Sequence, residues 1–401
     1  RSEVAGQCEK GAVTTTMHLE LTSQQESDQA DFRAFVDGQV VPHADRYDRE
    51  SSLPETAIQA LARERYFVAT LPHEAGGRNL DMMTYGLLTE EIGRGCGSIR
   101  NLIAVQGMVA HAIQRWGSPA QKAEWVPRIG HGEAVAAFAL TEPDSGSDAG
   151  NASTTATLLG NEYVLNGCKK WISFGQRADI FLVFAKNEDK LGAFLVERDT
   201  PGFSIEPISG MLGLRASMLG ALHMNECRIP KENLVGKVGF GMDFVATTAL
   251  DYGRYSTAWG CVGIAQGSLE ASQRYTRERK QFDVPIRNHQ LVQQMLTDMI
   301  ANTDAARLLC QRAGHLRDKK SPDAIRCTMI AKYFASTAAT RIASDAVQLH
   351  GANGCGPDYP VQRYLRDAKI QEIIEGSSQI QQIKIAELTQ PPRQSRATGS
   401  K

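Results

Sequence analysis

Tyr163-Val-Leu-Asn-Gly-Cys-Lys-Lys-Trp-Ile172 is a short, β-rich run in a chain whose other apolar residues mostly recur at helical spacing. Similar runs follow at Ile180 to Ala185, Ala193 to Val196 and Leu222 to Met224. Gly160-Asn161 and Thr200-Pro201-Gly202 mark turns between such runs. A β domain is therefore expected over 134–240. On its N-terminal side, Phe32, Phe35 and Val36, then Ile58, Leu61 and Ala62, then Leu87, Leu88 and Ile92 keep helical spacing, which predicts a helical domain over 23–133. Gly76-Gly77 interrupts that pattern, and Ser51-Ser52 ahead of Pro54 and Glu55 reads as a helix start.

Helix returns over 241–390. Leu291, Val292, Met295, Met299 and Ile300 form the stripe of a buried helix face. Ser321 as N-cap with Pro322 in the first turn opens a further helix, which carries Ile325, Met329, Ile330, Tyr333 and Phe334 inward and stops at Gly351. Ser378-x-x-Gln381 has the spacing of a capping box for a last helix running through Leu388. Residues 1–22, before and just past Met17, read as a disordered or vector-derived leader, and 391–401 as a tail.

Composition sets bounds on function. The chain has 401 residues, 42% hydrophobic and 22% charged, which is ordinary for a globular protein and long enough to bury ~75% of its unfolded surface. Lys and Arg total 44 against 45 Asp and Glu, so no overall field favours nucleic acid or an acidic membrane. No apolar run approaches the ~18 residues of a membrane span, and no secretion signal precedes the helices. The eight cysteines are scattered with no C-x-x-C pair, which reads as reduced thiols in a cytoplasmic protein. There is no G-x-G-x-x-G after a strand, no P-loop and no H-E-x-x-H, and the nine histidines do not cluster, so no metal site is expected.

What remains is a set of segments in fixed order. Phe138-Ala-Leu-Thr-Glu-Pro-Asp-Ser-Gly-Ser-Asp148 is followed by Lys170-Trp-Ile-Ser173, then by Arg277-Glu-Arg-Lys-Gln-Phe282 and Gln348-Leu-His-Gly-Ala-Asn-Gly354. Arg366-Asp-Ala-Lys369 then leads into Ile374-Glu-Gly-Ser-Ser-Gln-Ile-Gln381. Together they resemble the acyl-CoA dehydrogenase family. The resemblance implies a mostly α fold with a β domain: N-terminal helical domain, middle β-barrel-like domain and C-terminal four-helix bundle. It implies FAD, a homotetramer (or a dimer), electron-transfer flavoprotein or another acceptor as partner, and α,β-dehydrogenation of an acyl thioester.

Within that resemblance Glu375 is the α-proton-abstracting base. Its place after Ile373 and Ile374, on a connection between helices, would partly desolvate the carboxyl and raise its pKa toward a range useful to a base. A charge favourably placed at a helix N-terminus is the simpler alternative for the same residue. One branch of the family carries its base before the Arg of the segment matched by Leu250-Asp-Tyr-Gly-Arg254, where this chain has Gly253. Asp251, Arg254, Ser147, Ile374 and Gly376 match positions near the thioester; for Asp251 and Arg254, pairing within the helix is equally open. Phe138, Leu140, Thr141, Ser147, Trp171 and Ser173 match flavin-contacting positions of the β domain, although a core Trp and turn-forming hydroxyls have the same appearance. Arg279, Gln281, Phe282, Gln290, Ser377 and Gln379 match positions along the rest of FAD, and Gln348, Gly351 and Ala352 those supplied by a neighbouring subunit. Ala352 stands where Gly is common.

Substrate evidence is thinner. Arg100, in Ser98-Ile-Arg-Asn-Leu-Ile-Ala-Val-Gln106, aligns with the Arg by which glutaryl-CoA dehydrogenases hold a distal carboxylate. Such an Arg is costly to bury unless an anion meets it, which points to a short, polar or carboxylated acyl group. A protein acid such as Glu90 or Glu91, or plain exposure, would satisfy it equally. The same stretch also looks like dehydrogenases of polyketide extender-unit pathways, which oxidise hydroxylated or aldehydic three-carbon units on an acyl carrier protein. An oxidase passing electrons to O₂ and a catalytically silent scaffold complete the alternatives.

Overall fold

Thr22 opens the first helix through a reciprocal cap: its hydroxyl accepts the Gln25 N–H, and the Gln25 side chain accepts the Thr22 N–H. The structure is a computed structural model that describes residues 20–388; the tail at 391–401, all but the end of the expected leader, and Cys8 lie outside the described residues. Helices α1 (Ser23–Phe35), α2 (Val41–Glu50), α3 (Glu55–Arg63), α4 (Met82–Gly95), α5 (Gly97–Trp116) and α6 (Pro119–Gly130) form the N-terminal layer. The expected serine cap of α3 is absent. Pro54 stands at its N-cap without a side-chain bond, while Ser51 ends α2 in the left-handed region.

The β domain is one curled seven-stranded sheet. Its strands are β1 (Ala136–Ala139), β2 (Thr155–Leu159), β3 (Glu162–Ile172), β4 (Ile180–Asn187), β5 (Lys190–Glu197), β6 (Phe203–Pro207) and β7 (Gly220–Pro230). They run β1-β4-β2-β3-β7-β6, with β5 on β4. The Gly160-Asn161 turn joins β2 to β3, in register from Leu159–Glu162 to Thr155–Asn166. Between Lys169 and Ile172 the β3–β7 register slips, and Trp171 takes φ +62° at the slip. Such a bulge re-aims a side chain. Trp171 is accordingly 46% exposed rather than in the core.

The C-terminal bundle packs α7 (Thr247–Glu278), α8 (Gln290–Asp318), α9 (Ala324–His350) and α11 (Val361–Gln371), with the one-turn α10 (Ala352–Cys355) and the final α12 (Ser378–Glu387). A short hairpin, β8 (Lys280–Gln281) with β9 (Val284–Pro285), links α7 to α8. Three expectations need correction here. Along α8 only Met299 of the apolar stripe is fully buried, and Leu291 is 76% exposed. Of the residues expected on the inward face of α9, Met329 is buried and Phe334 packs against the core, but Ile325 is exposed and the centre of the face is a row of small or polar residues, Cys327, Thr328, Ala331, Lys332, Ala335, Ser336 and Ala339. Small side chains let α9 lie close along α7, and the larger apolar residues flank that line of contact. Regular helix begins at Ala324; Ser321 still opens the turn, its hydroxyl accepting the Asp323 N–H.

Candidate active site

The turn between α11 and α12 carries Glu375, and its backbone is unusual. Glu375 (φ +55°) and Gly376 (φ +83°) are both left-handed, a conformation that costs a non-glycine residue about 1 kcal/mol or more. Side chains from three helices hold it. The Lys332 ammonium donates to the Gly376 carbonyl at 2.7 Å, the Gln381 amide donates to the Glu375 and Gly376 carbonyls at 3.0 and 3.2 Å, and Arg254 Nε donates to the Glu375 carbonyl at 3.4 Å. Gln381 thus serves the turn and not a capping box; α12 is capped by Ser377, whose hydroxyl accepts the Ile380 N–H, and Ser378 Oγ donates to the Glu372 carbonyl. Both carbonyls are taken, while the Glu375 N–H has no acceptor among the described residues.

Glu375 Oε2 is enclosed and has no hydrogen-bond partner among the described residues. Burial raises the carboxyl above the ordinary carboxylate range, and Arg254, Arg100 and Lys332 oppose that rise. Across the site, α7 presents glycine. A Cβ at Gly253 would stand 2.5 Å from Glu375 Oε2 and 2.7 Å from Met108 Sδ, and one at Gly260 would stand 2.7 Å from Arg100 Cδ. Position 253, where one branch of the family puts its base, and the Glu375 carboxylate therefore occupy one locus. The α7 seam is bare so that these two side chains fit against it.

Arg100 is 1% exposed. Its guanidinium donates to Thr257 Oγ1 at 3.2 Å and to Gln371 Oε1 at 2.8 Å, and among the described residues no carboxylate forms a salt bridge with it. The acids that might have done so are engaged elsewhere: Glu90 with Arg307, and Glu91 with Arg94 and Arg33. Tyr85, Tyr252 and Ser256, close by, add enclosed hydroxyls that face one another. Asp251 does not pair within its own helix; it accepts from Arg317 of α8 at 2.5 Å, leaving Arg254 to the Glu375 turn.

The adjoining residue on α5, Asn101, was not singled out from sequence. Its amide donates to Ser173 Oγ and Ser217 Oγ, both at 3.1 Å, so consecutive residues of one helix reach the Glu375 side of the site and the β-domain loops. In those loops the Thr141 carbonyl accepts the Lys170 N–H. A buried Lys169–Glu142 pair (2.7 Å) pins the segment, with Glu142 also accepting from Ser153 and Thr154 and Lys169 donating to the Leu140 carbonyl. Phe138 packs edge-on to Phe184, Leu140 is buried, and Ser147 is exposed.

At the far end of α7, Arg279, Gln281, Phe282 and Gln290 lie on or beside the exposed hairpin, Phe282 being 88% exposed. Gln348, Gly351 and Ala352 are exposed at the neighbouring end of α9, which Tyr275 and Asn353 fasten to α7 through a 3.0 Å hydrogen bond. Gly351 has φ +60° and open space where a Cβ would stand. Ile374 and Gly376 flank Glu375, and Gln379 is exposed on α12. Among the described residues no group of three His, Cys, Asp or Glu could hold a metal ion, and no helix is long and apolar enough to cross a membrane.

The helical layer, curled sheet and helical bundle are the three-domain architecture of a family of flavin oxidoreductases that act on CH–CH donors. The chain belongs to the acyl-CoA dehydrogenase family: models of that family's N-terminal, middle and C-terminal domains match 22–133, 137–227 and 239–389. It is 39% identical over 360 residues to the mitochondrial short-chain specific acyl-CoA dehydrogenase of Rattus norvegicus, covering 88% of this chain and 87% of the relative. Among solved structures, a glutaryl-coenzyme A dehydrogenase in complex with glutaryl-CoA superposes with TM-score 0.88 at 34% identity, over 92% of this chain and 96% of that one. The prolyl acyl carrier protein oxidase AnaB does so with TM-score 0.87 at 27% identity, over 92% and 99%.

The family is FAD-dependent, and the residues present fit that group. An exposed indole on a bulge, loop hydroxyls, an exposed Arg279, open space at Gly351 and an enclosed carboxylate oxygen without a partner among the described residues offer what a ring system, a pyrophosphate and a reacting thioester would meet.

Proposed function

We propose that the chain dehydrogenates a short acyl thioester with a polar or carboxylated end, carried on CoA or an acyl carrier protein, and that Glu375 takes the α-proton. The observation that carries this reading is Glu375 Oε2, enclosed and unpartnered on a turn held by three helices. Burial makes its carboxylate a better proton acceptor, and the cations around it keep the charged form accessible. The free Glu375 N–H is the donor this chain offers to the thioester carbonyl, whose polarisation acidifies the α-carbon. FAD, when bound, supplies the acceptor for the hydride that leaves the β-carbon, so that loss of both hydrogens leaves an α,β double bond.

In this reading Trp171, Thr141, Ser147 and Ser173, with Phe138 and Leu140 behind them, flank the ring system. Arg279, Gln281, Phe282, Gln290, Ser377 and Gln379 extend along the rest of the cofactor. Gln348, Gly351 and Ala352 serve a second copy of the chain, in a homotetramer or a dimer. The apolar Leu291 and Phe282, left to solvent in a single copy, support such an assembly. Electron-transfer flavoprotein is the acceptor the family resemblance supports.

Arg100 carries the substrate proposal. A fully buried guanidinium without a carboxylate partner calls for an anionic or strongly polar group from the ligand. Likeness to an acyl carrier protein oxidase and the enclosed hydroxyls of Tyr85, Tyr252 and Ser256 support a second reading, a hydroxylated three-carbon unit on a carrier protein. Anaerobic titration of the yellow protein with butyryl, glutaryl and hydroxylated three-carbon thioesters, each on CoA and on carrier protein, tests both, with flavin bleaching as readout. Bleaching by one of them supports the reaction class and identifies the acyl group; a flavin that none of them bleaches overturns the proposal. Arg100→Ala is expected to slow bleaching by the carboxylated or hydroxylated thioester about 100-fold more than bleaching by butyryl thioester. An equal effect on all members would remove the anion clamp.

A further inference from the structure

We propose that Lys332 is a positioning residue for Glu375: its buried ammonium holds the Glu375–Gly376 turn through the Gly376 carbonyl and acts by its charge on the carboxylate that the turn carries. The inference rests on Glu375 being the working carboxylate of the site. Lys332 is 0% exposed on the inward face of α9, and among the described residues no acid forms a salt bridge with it. A buried, unpaired ammonium is expensive. Its hydrogen bond does not account for it, because the Gln381 amide already donates to the same Gly376 carbonyl. A neutral donor would serve that purpose as well. What Lys332 adds is charge; of the two carboxylates near it, Glu375 and Glu372, the second is paired with Lys369, and Glu375 has no salt-bridge partner among the described residues.

The groups facing the pair come from every element packed there. Arg254 and Cys261 of α7 and Arg100 of α5 surround it, Glu372 lies on the turn itself, and Lys332 is the contribution of α9. Glu372 is also paired with Lys369 at 3.4 Å. Burial pushes the Lys332 ammonium down to about 8, so it remains mostly charged at neutral pH.

The test is an infrared titration of the holoenzyme without substrate, following the C=O stretch of the protonated carboxyl that disappears in Glu375→Gln. Lys332→Gln, which keeps a donor and removes the charge, is expected to move the Glu375 midpoint up by about one pH unit. Lys332→Met is expected to move it at least as far, and Lys332→Arg to leave it within a few tenths. An unchanged midpoint in Lys332→Gln overturns the proposal, whatever its effect on turnover. Should Lys332→Met fail to fold, the Gln and Arg variants still decide. Because the readout needs no turnover, it separates this proposal from that of Glu375 as base: a midpoint that moves while Glu375→Gln keeps full flavin reduction would confirm the electrostatic coupling and refute the base.

Discussion

Glu375→Gln is expected to give a folded, yellow protein whose flavin reduction by thioester falls by about 10³-fold or more. The amide preserves the volume and the turn, since the bonds that hold the turn go to backbone carbonyls and not to the carboxylate. What it lacks is a site for the α-proton, and removing a positioned base commonly costs 10²–10⁴-fold. Stopped-flow bleaching under anaerobic conditions measures it, with the flavin absorbance of the resting protein as the control for cofactor retention. In the parent enzyme the same rate should fall on the acid side along a limb set above the ordinary carboxylate range, because burial raises Glu375 and only the deprotonated form can accept the proton. Full activity in the variant would remove Glu375 from the mechanism.

Gly253→Ala should separate fold from function. The added methyl group would meet Glu375 Oε2 at 2.5 Å and Met108 Sδ at 2.7 Å, both at the ends of flexible side chains that can move aside. Stability should therefore change little, yet the atom that moves is the one proposed to take the proton. A displacement of about 1 Å in a reacting group is enough for a 10²-fold loss. The expected result is an unfolding midpoint close to that of the parent with flavin reduction about 100-fold slower. A variant as fast as the parent would mean that the carboxylate works from a position other than the one it occupies against α7.

The order of helices, β domain and helices was legible in the sequence from local pattern, and the importance of the Glu375 turn from the family resemblance of the ordered segments. Alternating runs, turn dipeptides and an ordered set of short segments need no knowledge of how helices rotate against each other. What escaped depends on that rotation. Periodicity assigned five large residues of α9 to the core; Met329 is there, but close approach to α7 fills the centre of the face with alanines, Ser336 and Lys332 and leaves Ile325 to solvent. Gln381 has the spacing of a capping residue, yet its amide reaches back to two carbonyls that only the left-handed turn exposes. Asn101 gave no signal, since its two partners lie in β-domain loops 72 and 116 residues away in sequence. For Arg100 the sequence left three partners open, and the ion pairs of Glu90 and Glu91 removed the two acids.

The bare seam of α7 also limits how the pocket can evolve. Gly253 and Gly260 already carry the smallest side chain available, so substitution there can only narrow the space beside Glu375 and Arg100. If the acyl group lies against Glu375 as proposed, drift toward a bulkier one would have to proceed through Met108 of α5, which faces Gly253. That helix also carries Asn101, the link to the β-domain loops. A library aimed at new substrates would thus do best to hold α7 constant, randomise Met108 and its neighbours, and screen each variant for retained flavin colour before screening for turnover.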